Sequence, residues 1–263
     1  MSKQIVQIDA FTDRPFAGNP AAVCLMETAA DEPWMQAVAA EMNLSETAFL
    51  YPIAQGYHLR WFTPRVEIEL CGHATLASAF LLFADGHEPN GKLLRFQTLS
   101  GELTASREGD LIVLDFPVTP SNPTPAPKGL ADALGAEIVN CVATKQSYLC
   151  ELESEETVRG LKPDFTGVMD TTNGRVIVTA RASTDGLDFV SRFFAPGVGI
   201  NEDPVTGSAH TALAPYWAEK TGKTGFKAFQ ASERGGHVDV QLVGDRVKLG
   251  GQAVIVMRAE LIA

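Results

Sequence analysis

Apolar and polar positions alternate in the opening "QIVQIDAF", a period of two that predicts a strand. The turn-rich "TDRPFAGNP" follows, and then the continuous apolar run "AAVCL", which predicts a buried strand. The spacing next changes to four, through Trp34, Val38 and Met42. That predicts a helix, with Asp31 placed to cap it and Pro33 in its first turn. "SETAFLYP" and "YHLRWFTPRVEIEL" return to strand patterning, with Val66, Ile68 and Leu70 on one face and Glu67 and Glu69 on the other. At "CGHATLASAFLLF" the alternation stops and a small-residue helix is predicted. "LLRFQTLSGELTASREGDLIVLDFP" then reads as a hairpin-like pair that turns at Gly109-Asp110.

"FPVTPSNPTPAPKG" is the sharpest shift in composition. Prolines at this density exclude a helix and disfavour a central strand, so the segment is read as an inter-domain linker. Beyond it the pattern returns. "RWFTPRVEI" (Arg60 to Ile68) is matched by "RFFAPGVGI" (Arg192 to Ile200), an offset of 192 − 60 = 132. "CGHA" at Cys71 is matched by "TGSA" at Thr206, and "GELTASREGDLIVL" at Gly101 by "GHVDVQLVGDRVKL" at Gly236, both at 206 − 71 = 236 − 101 = 135. The step from 132 to 135 implies a three-residue insertion, expected beside Asp203. A repeat this long is a duplicated domain.

Composition narrows the function. The 263 residues, 45% hydrophobic and 20% charged, suit an ordinary globular chain. A net charge of −11 argues against nucleic acid or an anionic membrane as partner. The longest apolar run, Ala74 to Ala84, is far short of the roughly 20 residues that span a bilayer. The four cysteines (Cys24, Cys71, Cys141, Cys150) show no CxxC and no zinc-ligand spacing, so no metal is expected. A cytoplasmic chain with reduced thiols is the expectation. If the two halves pack about a pseudo-two-fold, both glycine turns and both helix N-termini face one cleft, where a carboxylate binds well. Gly72 and Gly207 would let the backbone approach that ligand closely, and Ser208 would add a hydroxyl.

"DAFTDRPFAGNPAAV", "LSETAFL", "RWFTPRVEIELCGHAT", "RFFAPGVGINEDPVTGSAH" and "VKLGGQAVIV" together resemble the phenazine biosynthesis-like (PhzF) family of the diaminopimelate epimerase-like fold. The resemblance implies an α+β architecture of two similar domains, each a rolled sheet around a central helix, with the active site between them. The expected domains are 1–118 and 126–252, with 253–263 returning to the first. It also implies a cofactor-free isomerase, a homodimer, and a small anionic carboxylate substrate. Glu46 corresponds to the family's acid/base, His73 to the histidine that positions substrate, and Asp203 to a ligand-contacting aspartate. Asn19 and Cys71 are expected to line the site. For Glu46 to act as base and then acid, its pKa must be lifted by a dry pocket, and Leu44, Ala48, Phe49 and Leu50 suit one.

Two alternatives stay open. Epimerases of this fold use two cysteines, but here Cys71 faces Thr206 in the alignment, and an alcohol is far too weak an acid to replace a thiol. A Cys/Thr pair resembles the hydroxyproline dehydratase arrangement, so a Cys71-dependent epimerase or dehydratase is the second reading. A non-catalytic ligand-binding protein is the third. The Asp203-Pro204 pair also has a purely structural reading, as a helix N-cap and first-turn proline.

Overall fold

β1 (Lys3–Ala10) and β2 (Asn19–Leu25) pair antiparallel, from Val6 opposite Val23 to Ala10 opposite Asn19. A computed structural model describes residues 3–262. α1 (Glu32–Met42) carries the chain across to β3 (Glu46–Ile53), which lies parallel to β2 with Glu46 beside Ala21. Such a parallel step needs a crossover, which the helix supplies. Met35, Val38 and Ala39 form the buried face of α1, rather than the Trp34–Val38–Met42 line. Trp34 is half-buried between Phe49 and the Lys3 ammonium, which sits 3.6 Å from the ring. Asp31 occupies the N-cap position but makes no side-chain cap bond.

β4 (Gly56–Phe62) runs antiparallel to β3, and β5 (Glu67–Ile68) returns along β4 for two residues only. The expected apolar face of this segment does not form: Val66 and Leu70 are exposed. Two interactions cut the strand short. Thr63 closes the preceding turn through Val66 at 2.9 Å, and Arg60 holds Glu67 in a two-pronged ion pair at 2.6 and 2.7 Å. α2 (Gly72–Ala84) follows, buried from His73 to Phe83 on nearly every side. A helix apolar all round belongs inside a core. β6 (Leu94–Thr98), β7 (Gly101–Glu108) and β8 (Leu111–Pro117) then make three strands where two were expected. The extra turn falls at Gly101, whose φ of 97° suits glycine.

The second unit contains β9 (Asn122–Pro123), α3 (Leu130–Leu134), β10 (Asn140–Ala143) and β11 (Tyr148–Glu151). Next come α4 (Glu155–Gly160), α5 (Phe165–Thr171), β12 (Val176–Arg181), β13 (Phe189–Ala195) and β14 (Ile200–Asp203). α6 (Gly207–Thr221), β15 (Gly225–Gln230), β16 (Gly236–Val243) and β17 (Arg246–Gly251) complete it. The last strand, β18 (Ala253–Leu261), pairs antiparallel with β1 from Lys3 opposite Leu261 to Ala10 opposite Ala253. By contacts, one unit comprises the residues up to Asp115 with those from Gly250 onward, and the other Phe116–Leu249. Each unit is a rolled sheet about a buried helix, an α+β fold: α2 packs on β1, β2, β3, β7 and β18, and α6 is buried from Gly207 to Trp217 along one side and packs on β16. Among the described residues no helix is long and apolar enough to cross a membrane.

The pairings repeat. β10/β11 are antiparallel, β11/β12 parallel, β12/β13 and β13/β14 antiparallel, β13/β15 parallel and β15/β16 antiparallel, the order seen from β1 to β7. Arg192 grips Glu202 at 2.7 and 2.8 Å, as Arg60 grips Glu67, and each guanidinium lies over a phenylalanine two residues on. This register moves the insertion. Phe62 pairs with Glu67 and Phe194 with Glu202, leaving 66 − 62 = 4 residues in the first turn and 201 − 194 = 7 in the second. The three extra residues therefore lie in the turn around Pro196–Val198, upstream of Asp203, and Asp203 occupies the position of Ile68.

The Pro-rich stretch is fastened to the second unit. Pro123 and Asn122 pair with Val142 and Ala143, Val118 N–H donates to Asp245 O at 2.9 Å, and Thr119 N–H donates to Thr211 O at 3.2 Å. Thr211 O is the carbonyl left free by Pro215 inside α6, because proline has no N–H to return to it.

Candidate active site

β2, β3 and the start of α2 bring four side chains of the first unit together. Asn19 is the first residue of β2, Glu46 the first of β3, Cys71 the N-cap of α2, and His73 lies in that helix's first turn. Gly18 makes the approach possible: at φ +64° a Cβ there would sit 2.1 Å from the Ala10 carbonyl oxygen, so only glycine fits ahead of Asn19. His73 is buried, and its two ring nitrogens face different partners. Nε2 lies 3.2 Å from Glu46 Oε2, close but out of line for a hydrogen bond. Nδ1 lies 3.1 Å from Asn19 Nδ2 and 3.6 Å from Cys71 Sγ.

With the Asn19 amide donating, Nδ1 accepts and the neutral ring carries its proton on Nε2, toward Glu46. Turning the Asn19 amide over would instead offer its carbonyl to a charged ring. Burial works against charging His73, but the Cys71 sulfur and the Glu46 carboxylate outweigh it and hold the ring well above its ordinary 6.5. Burial pushes the Cys71 thiol up to about 11, His73 drawing it down and Glu46 raising it. At about 11 the Cys71 thiol is a weak acid. The same three groups, Glu46, Cys71 and His73, lie within 4.8 Å and are metal-ligand types.

The thiol's state gives a direct check. Iodoacetamide at pH 8 is expected to modify Cys71 roughly 100-fold more slowly in the folded protein than in the urea-unfolded chain, measured by peptide mapping. Comparable rates would show that the sulfur is neither buried nor held as a thiol.

In the second unit Asp203 ends β14. It is not the N-cap of α6: Thr206 is, and the helix begins at Gly207. The Thr206 hydroxyl donates to Asp203 Oδ2 at 2.5 Å and accepts from Gln230 Nε2 at 3.1 Å, so the alcohol opposite Cys71 in the repeat is already committed. Gln230 also donates to Asp203 O and accepts from Thr206 N–H, both at 2.8 Å. This buried glutamine ties the whole turn, and no motif in "FQASERG" marks it. Ser208 is exposed and Gly207 buried. Neither Cys71 nor Thr206 makes a side-chain cap, so the first-turn N–H groups of both helices keep the positive dipole end uncapped by their own N-cap residues. Gly72 and Gly207 open those two helices.

A solved hydroxyproline epimerase of Agrobacterium vitis matches with a TM-score of 0.63 over 99% of this chain and 91% of that one; at 12% identity it speaks to the fold alone. A phenazine biosynthesis protein of the PhzF family from Enterococcus faecalis matches with a TM-score of 0.95 and 42% identity over 100% of both chains. The family model for phenazine biosynthesis-like proteins spans residues 8–259, and the chain belongs to that family. Among curated relatives, a protein of Halalkalibacterium halodurans is 49% identical over 263 residues, 100% of this chain and 99% of its own. One of Pseudomonas aeruginosa is 48% identical over 263 residues, 99% of each. Both are named as uncharacterized isomerases, and the chain is placed with them in that enzyme class.

Proposed function

We propose that the protein is a cofactor-independent isomerase that moves a proton within a small carboxylate-bearing substrate, with Glu46 as its single acid/base. The observation that carries this reading is the Glu46 carboxylate set 3.2 Å from a buried imidazole whose far nitrogen is engaged by Asn19. A carboxylate in that setting removes a proton from a substrate carbon as base and returns it to another carbon as the conjugate acid. His73 answers each change in Glu46's charge at fixed geometry and orients the substrate. Asn19 is fully buried with its amide facing Nδ1, which suits it to hold the ring, and it keeps its proposed place in the lining of the site. For the second unit we keep the roles the resemblance implies, Asp203 and Ser208 as substrate-contacting groups.

The Cys71-dependent reading is less well supported. Its thiol is raised to about 11, and the residue at the second thiol's position, Thr206, spends its hydroxyl on Asp203.

The test is a screen of small unsaturated hydroxy- and amino-carboxylates in heavy water. Deuterium is expected at one substrate carbon, detected by proton NMR, in at least one compound that also raises the melting temperature. Ligands that stabilise the protein but never exchange would point to the binding-protein alternative instead.

A further inference from the structure

Cys141 and Cys150 stand directly opposite each other on β10 and β11. Their sulfurs are 3.8 Å apart, and both side chains lie in the second unit's apolar core, at 5% and 0% exposure. The peptide groups define what kind of pair this is. Cys141 O accepts from Thr124 N–H at 3.1 Å, on the side of β9, and Cys141 N–H is taken by Asn140 Oδ1 at 3.0 Å. On β11, Tyr148 N–H donates to Arg175 O and Leu152 N–H to Thr179 O, so this alternate set of residues turns its peptides toward the β12 side. Cys150 belongs to the same set.

Neither cysteine therefore spends its peptide on the other. In such a non-hydrogen-bonded pair the Cα atoms of antiparallel strands approach to about 4.5 Å. A disulfide spans Cα separations of about 4.4–6.8 Å, so side-chain rotation alone can bring the sulfurs to about 2.05 Å. We propose that Cys141 and Cys150 are an oxidisable pair that closes a cross-strand disulfide within the folded protein, a modification site separate from the centre around His73.

The chemistry balances with a peroxide as oxidant. Cys141, the less buried sulfur and the one that Cys150 acidifies by hydrogen bonding, attacks a peroxide oxygen as thiolate. The O–O bond breaks, leaving a sulfenic acid and one water. Cys150 then displaces the sulfenic oxygen as a second water, the S–S bond forms, and the two electrons lost by the thiols reside in the two waters. The crosslink would join the two strands whose neighbouring residues, Asn140 and Glu151, both hold the Tyr216 hydroxyl of α6, at 3.1 and 2.7 Å.

The experiment uses the folded 263-residue chain treated with hydrogen peroxide, quenched in acid, unfolded and alkylated. The expected result is a loss of about 2 Da, two alkylatable thiols remaining of the four present, a peptide joining 141 to 150, and reversal by dithiothreitol. C141S and C150A should each remove the crosslink; if either fails to fold, the wild-type peptide map alone decides. Four thiols surviving, linkage through Cys24 or Cys71, or oxidation that ends as added oxygen without a crosslink would each overturn the proposal.

Discussion

Under the proposed mechanism, replacing Glu46 by glutamine should lower the rate of solvent exchange at the substrate carbon by about 10²–10⁴-fold, the usual contribution of a positioned acid/base. The amide keeps the shape of the carboxylate and loses only its capacity to take a proton. The same change removes the anion beside His73 Nε2, so the ring's titration should move down toward its ordinary value. Proton–nitrogen NMR of the imidazole reads that shift without any substrate. Cys71→Ala, by contrast, is expected to keep exchange within about tenfold of the parent, because the thiol is held protonated. Undiminished exchange in the glutamine variant, with a Cys71 variant that is dead, would hand the chemistry to the sulfur.

Glu155→Gln should cost about 2–3 kcal/mol of stability at pH 7, because the donors gathered round a buried carboxylate lose their charged acceptor. Glu155 is 4% exposed at the start of α4. Its Oε2 accepts from Ser183 N–H at 2.6 Å and Thr184 N–H at 2.9 Å, its Oε1 from Thr184 Oγ1 at 2.8 Å, and Arg159 pairs with it at 2.7 Å. Burial raises its pKa, but these donors overcome burial and bring it from 4.5 down to about 2. A folded pKa below the unfolded one means the stabilisation is fully present above about pH 4.5 and is lost as pH falls toward 2. Urea unfolding of the two proteins should therefore differ most at pH 7 and converge near pH 2–3. A gap that stays constant with pH would assign the loss to packing and not to the carboxylate's charge.

Much of this molecule can be read from its residues. The duplicated strand–turn–helix at Cys71 and Thr206 is visible because both copies kept their glycine and the small-residue helix after it. The insertion is misplaced by sequence because "VEI" and "VGI" align by eye, whereas the ion pairs Arg60–Glu67 and Arg192–Glu202 fix the real correspondence. An alternating pattern cannot foresee that one arginine will capture Glu67 and end a strand after two residues. Asn19 is legible as a turn residue before proline, but its contact with His73, 54 positions away, depends on β1 and β2 pairing in one register. Gln230 leaves no signal at all: a lone glutamine acquires its role only where three backbone and side-chain groups converge on it.

One consequence concerns the order of synthesis. The continuous stretch from Phe116 to Leu249 emerges from the ribosome whole, whereas β1 must wait for β18, its partner from the far end of the chain. The half that is translated first is thus completed last, and until Ala253 onward is released its opening strand has one bare edge, a state in which nascent chains are open to association with others.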